Sequence, residues 1–419
     1  MTWAMEIWDL TALQRFKRPI ALKSRRPTIA SFLKENGYRC GAIGKWHLGF
    51  EWPLKPGSPS PEEFPINRIG LKIYADFSKK LNHTPLDLGF DYFFGIPGSL
   101  DMDPYCFIEN DHTVGIPSLP KSPRYNQQRA GLMVPGWKDE EVDIVHSKKA
   151  IQFIENHLKH HVDQPFFLYL ATSSPHRPCD CQPGIVEGKS QAGDRGDMVM
   201  LFDWVVGQID ETIEKHGLKE NTLFIITSDN GARLTCANGK DYGHKSCGKL
   251  RGQKADIWDG GHREPFIARW PDMITPNSEN DDLICLVDFF ATCASIIDKP
   301  LPKNGAEDSF DCSRALLEDG SNKGTRDTLI HHSGGGMFSI RKGAWKFIDG
   351  LGSGGFSRPR SKKPLPWQAK AQLYNMENDQ QEQNNLWKSR RDLVHDLKKE
   401  LYDAIKRGST RPLGSKKEN

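Results

Sequence analysis

The sequence predicts an α/β fold with a mainly parallel sheet flanked by helices, followed by a smaller C-terminal antiparallel-sheet subdomain. Helical and strand patterns alternate along the first three quarters of the chain, an order that is typical of α/β proteins. The strands there are continuous apolar runs of the kind that parallel sheets bury on both faces. After about Leu329, by contrast, apolar and polar residues alternate between glycines, which predicts an antiparallel meander.

Three helix-strand units make up the parallel part. In the first, Thr28 is a predicted N-cap and Gly37 a predicted helix stop. In the second and third, helical periodicity runs into the apolar segments "PFFLYLA" and "TLFIIT". The helices are predicted after Thr28, over 142–158 and over 197–216, and the strands over 38–43, 165–171 and 222–227.

Charge and hydropathy exclude several classes of protein. The chain has 419 residues with 57 basic and 54 acidic side chains, a formal net charge of +3, and the basic residues are scattered. Nucleic acid is therefore not expected as a partner. No apolar run approaches the roughly 18 residues that a membrane helix needs, so no membrane span is expected. The N-terminus lacks the features of a secretory signal peptide.

The nine cysteines are an odd number spread over a long chain without C-x-x-C spacing. This pattern predicts neither a disulfide framework nor a zinc site.

Polar side chains follow each of the three predicted strands. Lys45 and His47 follow the first in "GKWH", His176 follows the second in "TSSPH", and Asp229 and Asn230 follow the third in "SDN". In a parallel sheet the carboxyl ends of the strands meet at one edge, where ligands bind. Each of these residues alone is more often a turn or a solvated surface group. Together they predict a polar site at that edge.

A fourth segment, from Gly243 to Pro271, adds glycines and cations before the strand-like "PFIARW". The basic residues that precede this strand include His244, Lys249, Arg251 and Lys254. The carboxylate and amide of Asp229 and Asn230 are hard oxygen ligands suited to Ca²⁺ or Mg²⁺. Cations, histidines and a divalent metal together form an anion site, which indicates ester cleavage at sulfur or phosphorus.

The segments "GYRCGAIGKWHLG", "TSSPH", "TSDNGA" and "LRGQKADIWDGGHREPFIARWP" resemble, in the right order, four motifs of the formylglycine-dependent sulfatase (arylsulfatase) family. The resemblance runs from about Thr28 to Leu386 and implies the alkaline-phosphatase-like fold of that superfamily. It implies an arylsulfatase-like sulfuric ester hydrolase, which cleaves the sulfate ester of a small molecule or carbohydrate into an alcohol and inorganic sulfate.

The resemblance also implies a role for each matching residue. Lys45 and Lys254 would bind the sulfate, and His47 would contact the formylglycine and take its proton. His176 would protonate the leaving alcohol. Asp229 and Asn230 would coordinate Ca²⁺, with Mg²⁺ as the other candidate. His244 would reach the part of the substrate beyond the sulfate.

Two features of the family have no counterpart upstream of the first predicted helix. These are the C-x-P-S-R or S-x-P-x-R motif of the nucleophile and a pair of consecutive aspartates that complete the metal site. We therefore expect an N-terminally incomplete sulfatase with no nucleophile in this chain, doubtful activity and weakened Ca²⁺ binding. The alternatives are an inactive, anion-binding remnant and a phosphodiester or phosphonate hydrolase of the same superfamily.

The predicted organisation has four parts: an unassigned N-terminus at 1–27, the catalytic domain at 28–325, an α+β subdomain at 326–405 and a disordered tail at 406–419. The family is usually exported to the periplasm, the extracellular space or the lysosome. The sequence leaves open the compartment, the oligomeric state and the sulfate ester that is cleaved.

Overall fold

The computed structural model describes residues 26–59, 74–124, 128–181, 184–234, 242–317 and 326–411. These residues form two compact units: the first unit contains 26–217 with 242–244, and the second unit contains 218–234 with 245–411. Within these ranges, no helix combines the length and the apolar character that a membrane crossing requires.

The first unit is built on a five-stranded sheet in the order β4-β3-β2-β1-β7. Strand β1 is parallel to both β2 and β7, whereas β2 to β4 form an antiparallel extension. Its elements are α1 (Ile29–Glu35), β1 (Arg39–Lys45), β2 (Tyr92–Ile96), β3 (Ile108–Glu109), β4 (His112–Thr113), β5 (Leu119–Lys121), β6 (Gly131–Met133), α2 (Val142–His160), β7 (Phe166–Ala171) and α3 (Gly193–Lys215). Helices α1 and α2 pack on β1.

Strand β1 lies between its two parallel neighbours, β2 and β7, and most of its residues are buried. Cys40, Ala42 and Ile43 are almost completely buried. A Cβ atom at Gly44 would collide with the backbone carbonyl of Ala171, and one at Gly95 would collide with the carbonyl of Gly44. Glycine at these positions lets three parallel strands approach each other closely just before Lys45.

The second unit has no parallel pair among its described strands. Strands β8 and β9 form one antiparallel pair, and β10 to β13 form a four-stranded antiparallel meander. Its elements are β8 (Phe224–Thr227), β9 (Phe266–Arg269), α4 (Phe289–Ile296), α5 (Ser313–Leu317), β10 (Thr328–His332), β11 (Phe338–Lys342), β12 (Trp345–Ile348), β13 (Gln372–Asn375) and α6 (Arg391–Arg407). Helix α6 packs Leu397 and Leu401 against Ile340, Phe347 and Leu373 of the meander.

The meander is joined to the segment that precedes β9 by a buried ion cluster. The Lys346 ammonium, on β12, lies 2.7 Å from Asp259 and 2.9 Å from Glu382, and its side chain is fully buried. Glu382 also accepts a hydrogen bond from the Asp259 backbone N–H at 2.7 Å. Burial raises the pKa of Glu382. At Asp259 burial is also the largest influence, but the charge and hydrogen bond of Lys346 outweigh it and lower the pKa.

The predicted fold class is confirmed, with a mainly parallel central part and a separate C-terminal antiparallel sheet. The assignment of the third apolar strand to the parallel sheet is wrong. Strand β8 pairs antiparallel with β9 in the second unit, because an apolar run indicates burial but carries no information about the neighbouring strand. The eight described cysteines are all unbridged.

The predicted C-terminal tail begins inside a helix. Helix α6 continues to Arg407, so the first two residues of the predicted tail are helical. Residues 412–419, like residues 1–25, lie outside the described residues.

Two histidines of the second unit are held neutral by burial. The rings of His262 and His331 lie 4.2 Å apart, and His331 Nε2 donates to the Ile257 carbonyl at 3.2 Å. Although each residue is partly exposed, His262 Nε2 and His331 Nδ1 are buried and have no hydrogen-bond partner among the described residues. Burial, and then the Lys346 charge, lower the pKa of His262 to about 3. Burial and the neighbouring His262 lower the pKa of His331 as well.

We expect this pair to make the second unit sensitive to acid. A histidine with a lowered pKa in the folded state contributes stability above its unfolded pKa of about 6.5, which is lost as the pH falls towards the folded value. The loss is at most about 1.4 kcal/mol per pH unit for each histidine. The variant His262→Gln should therefore lose less stability between neutral and acidic pH than the wild type, as measured by urea unfolding.

The matched control is His395→Gln, because His395 is 79% exposed. It should keep the wild-type pH dependence. Identical pH dependence in wild type and His262→Gln would show that the buried pair does not control acid sensitivity.

Candidate anion-binding and catalytic site

Lys45 and His47 lie at the carboxyl end of strand β1. Lys45 is the last residue of β1 and lies opposite Ile96 in the register with β2. The backbone N–H groups of Trp46 and His47 continue along β2, donating to the carbonyls of Ile96 at 3.1 Å and Pro97 at 3.2 Å. The backbone of both predicted site residues is therefore fixed by the sheet.

His47 has a left-handed backbone conformation, with φ of 54°. This conformation is costly for a residue other than glycine and persists only where the surroundings hold it. The neighbouring Trp46 supplies the anchor, because it is buried, packs edge-on against Phe93 and donates from Nε1 to the Gly49 carbonyl at 3.2 Å. Strained, well-held residues of this kind cluster at functional sites.

His176 lies in the turn that follows β7. Its backbone N–H donates to the Ser173 carbonyl at 2.8 Å, and its Nδ1 lies 2.7 Å from the Arg177 carbonyl. Because a carbonyl can only accept, Nδ1 carries a hydrogen in this arrangement.

The turn before His176 is held by a buried carboxylate on helix α2. Asp143 accepts the backbone N–H groups of Ser173 and Ser174, both at 2.7 Å, and the Ser174 hydroxyl at 2.6 Å. His146 Nδ1 lies 3.2 Å from it. Burial acts to raise the pKa of Asp143, but these hydrogen bonds outweigh it, so the pKa is lowered. No local sequence pattern indicates a role for this residue, because its partners lie about thirty residues away along the chain.

The register of the sheet brings the two strand ends together. Gly44 of β1 lies opposite Ala171 of the parallel strand β7. Lys45, His47 and His176 therefore lie at the ends of neighbouring strands at the same edge of one sheet, as predicted. The prediction that Asp229 and Asn230 follow a strand of this same sheet is wrong, because β8 pairs with β9 instead.

Asp229, Asn230 and Lys254 are close together within the second unit. Asp229 and Asn230 form the turn after β8, and the Lys254 backbone N–H donates to the Ala232 carbonyl at 2.9 Å. The Asn230 amide nitrogen donates to the Gly231 carbonyl at 3.2 Å, which leaves the amide oxygen as an acceptor for a ligand. This unit thus holds a cation and two oxygen-bearing side chains next to one turn.

Glu264 is a further carboxylate in this region, and the family resemblance implies no role for it. Burial raises the pKa of Glu264 to about 7, with a contribution from the charge of Asp229. The only sequence signal is its position in "GGHREPF" within the fourth segment.

The donor set fits a hard divalent cation only in part. Asp229 is exposed, and Ca²⁺ takes about six to eight oxygen ligands. Among the described residues, no group of three or more histidine, cysteine, aspartate or glutamate side chains could hold a metal ion. The described residues therefore do not complete the coordination of such a cation.

The other cations of the fourth segment are placed differently. His244 and Lys249 are exposed. Arg251 has a structural role instead, since its guanidinium lies 3.8 Å from the centre of the Trp258 ring and donates to the Tyr374 hydroxyl at 3.2 Å and to the Glu382 carbonyl. It therefore reinforces the link between the meander and the segment that carries Lys254.

The residues Ser173 to Arg177 also spell S-x-P-x-R, a pattern that lies downstream of the position where the resemblance places the nucleophile. Ser173 is 3% exposed, and its backbone N–H is bound by Asp143. Its burial in the turn indicates a structural role for this serine.

Comparison with known proteins identifies the family. The Sulfatase family model matches residues 9–298, and the chain therefore belongs to the sulfatase family, a family of sulfuric ester hydrolases. The chain is 31% identical to the N-acetylgalactosamine-6-O-sulfatase of Bacteroides thetaiotaomicron, over 90% of this chain and 76% of that protein. It is 30% identical to human arylsulfatase A over 76% of this chain, but spans only 57% of that relative's length.

Solved structures agree with the fold. A Bacteroides thetaiotaomicron sulfatase, described in connection with the metabolism of multiple glycosaminoglycans, superposes with a TM-score of 0.75 at 29% identity, covering 92% of this chain and 83% of that one. The PsFucS1 sulfatase from Pseudoalteromonas sp. superposes with a TM-score of 0.69 over 99% of this chain and 81% of that one. At 21% identity, this second likeness supports the fold alone.

We expect Asp143→Ala to destabilise the first unit. The substitution leaves two buried backbone N–H groups without an acceptor, at a cost of about 1 to 3 kcal/mol for each. Urea unfolding should therefore show a loss of several kcal/mol. The control Asp163→Ala, at an exposed aspartate after α2, should change stability by less than about 0.5 kcal/mol. Equal losses in the two variants would contradict the role given to Asp143.

Proposed function

We propose that the residues of this chain serve the hydrolysis of a carbohydrate sulfate ester to an alcohol and inorganic sulfate. The observation that carries the proposal is the meeting of Lys45, His47 and His176 at one edge of a parallel sheet. Membership of the sulfatase family supports the reaction class, and the name of the Bacteroides relative supports a sulfated amino sugar as substrate.

Two lysines are assigned to the sulfate. An ammonium group stabilises negative charge on the sulfate oxygens, and such charge stabilisation is commonly the largest contribution to catalysis. Lys45 extends from the end of β1, and Lys254 is held next to the turn after β8. Lys45 is also proposed to hold the oxygen of the nucleophile.

The two histidines are assigned to proton transfer. Because Nδ1 of His176 is bound by the Arg177 carbonyl, we assign protonation of the leaving alcohol to Nε2. His47 is proposed to take a proton from the hydrate of the formylglycine when sulfate is expelled. General acid-base steps of this kind contribute about 10²- to 10⁴-fold in rate.

The nucleophile itself is not assigned to any residue of this chain. In the proposed reaction an aldehyde hydrate attacks sulfur, the alcohol leaves, and the second hydroxyl of the hydrate then collapses to release sulfate. Asp229 and Asn230 are proposed as ligands of Ca²⁺, with Glu264 close by. His244 is proposed to contact the non-sulfate part of the substrate.

Sulfate binding tests the roles of the lysines. We expect N-acetylgalactosamine 6-sulfate to bind the chain measurably in isothermal titration calorimetry. Lys45→Ala should weaken this binding by at least about tenfold, because removing one partner of a charge-assisted contact costs more than about 1.4 kcal/mol.

Lys148→Ala is the control for this experiment, since Lys148 is exposed on helix α2. It should bind the sugar sulfate like the wild type. Equal affinity of the Lys45→Ala variant and the wild type would refute the assignment.

Turnover distinguishes an active sulfatase from an anion-binding protein without a nucleophile. Because no residue of the chain is assigned as nucleophile, we expect the chain alone to release no sulfate from an aryl sulfate or from N-acetylgalactosamine 6-sulfate. Sulfate release that survives purification would show that a nucleophile is present. Binding without turnover would favour an inactive, anion-binding protein or a sulfatase whose nucleophile is missing from this chain.

A further inference from the structure

The loop between β12 and β13 carries four exposed basic side chains that are close together in the sequence. This segment, residues 349–371, is called the basic loop. Arg358, Arg360, Lys362 and Lys363 are all exposed, and within the described residues their side chains make no hydrogen bond or ion pair. Four like charges this close repel one another, so the arrangement favours an anionic partner.

The basic loop has a defined backbone. The N–H groups of Ser353, Gly354 and Lys362 donate to the carbonyls of Pro359, Arg360 and Leu351 at 3.0, 2.8 and 3.1 Å, respectively. The two sides of the loop are thus bonded to each other, with the cations along one side. Loops of this length are uncommon in compact domains unless they are functional or disordered, and the hydrogen bonds argue for the former.

The basic loop packs directly on the segment that carries Lys254. The Ser357 N–H donates to Asp256 Oδ1 at 2.9 Å, and the Ile257 N–H donates to the Ser353 carbonyl at 2.8 Å. A Cβ atom at Gly355 would collide with the Ala255 carbonyl. The backbone of the basic loop is therefore held against the residues that immediately follow Lys254.

We propose that the basic loop binds the anionic groups of a sulfated polysaccharide, next to the sulfate ester that Lys254 contacts. This inference rests on the proposed function and deepens it, because it makes the substrate a polymer. The planar guanidinium groups of Arg358 and Arg360 suit two-point binding of sulfate or carboxylate oxygens. Trp367, which is 69% exposed, offers a flat apolar face to a sugar ring.

A sulfated glycan fits the charge distribution better than nucleic acid does. The formal net charge of the chain is only +3, so the positive potential is local to the loop. Proteins that bind nucleic acid spread basic residues over a larger surface.

The test compares two fourfold variants with the same change in charge. The loop variant is Arg358→Gln, Arg360→Gln, Lys362→Gln and Lys363→Gln. The control variant is Lys148→Gln, Lys299→Gln, Lys303→Gln and Lys388→Gln, all at exposed lysines. Circular dichroism establishes that both are folded. Binding to immobilised chondroitin 6-sulfate is then measured by surface plasmon resonance at several salt concentrations.

We expect the loop variant to lose at least about tenfold in affinity for chondroitin 6-sulfate and to show a shallower salt dependence, because fewer counterions are released on binding. The control variant should stay within about twofold of the wild type, since its lysines are scattered. Equal losses in the two variants would overturn the proposal. So would equal wild-type affinity for unsulfated chondroitin, or for double-stranded DNA.

A monosaccharide separates this inference from the proposed function. N-acetylgalactosamine 6-sulfate should bind the loop variant and the wild type equally, whereas Lys254→Ala should lose this binding and keep most of its affinity for the polymer. If the wild type binds chondroitin 6-sulfate through the loop but does not bind the monosaccharide, the proposed sulfate site is wrong and the basic loop stands.

Discussion

The second unit depends on one buried ammonium group. Lys346 has no access to water, and its charge is balanced by Asp259 and Glu382, which come from the two sides of the meander in sequence. An unbalanced buried charge costs several kcal/mol, so the three side chains must be buried together or not at all. Because Asp259 lies in the same segment as Lys254, this requirement ties the position of a predicted sulfate ligand to the folding of the C-terminal sheet.

The first unit also contains a buried charge, and there hydrogen bonds to the carboxylate stabilise it. Asp143 on helix α2 holds the turn that places His176, while the strand itself places Lys45 and His47. In both units the residues proposed to contact substrate lie on backbone that is held by buried polar groups. Such preorganisation lets charged groups act without reorganising during the reaction.

Much of the fold could be predicted from the sequence, because the periodicities of helices and buried strands are local. The helices after Thr28 and Val142 and the strand before Thr172 lie where the patterns place them. The pairing of β8 could not be predicted, since the apolar run "TLFIIT" suits either a parallel or an antiparallel neighbour. Asp143 and Lys346 also left no local signal, because their roles come from contacts across long stretches of chain.

The basic loop is inserted between two strands that remain paired, with Trp345 opposite Asn375 and Ile348 opposite Gln372. The meander therefore closes the loop at its base. Exposed loops on such scaffolds tolerate changes in length and sequence. If the basic loop binds a polymer as proposed, exchange of this single surface segment offers a route by which an unchanged reaction centre acquires a new range of polymers.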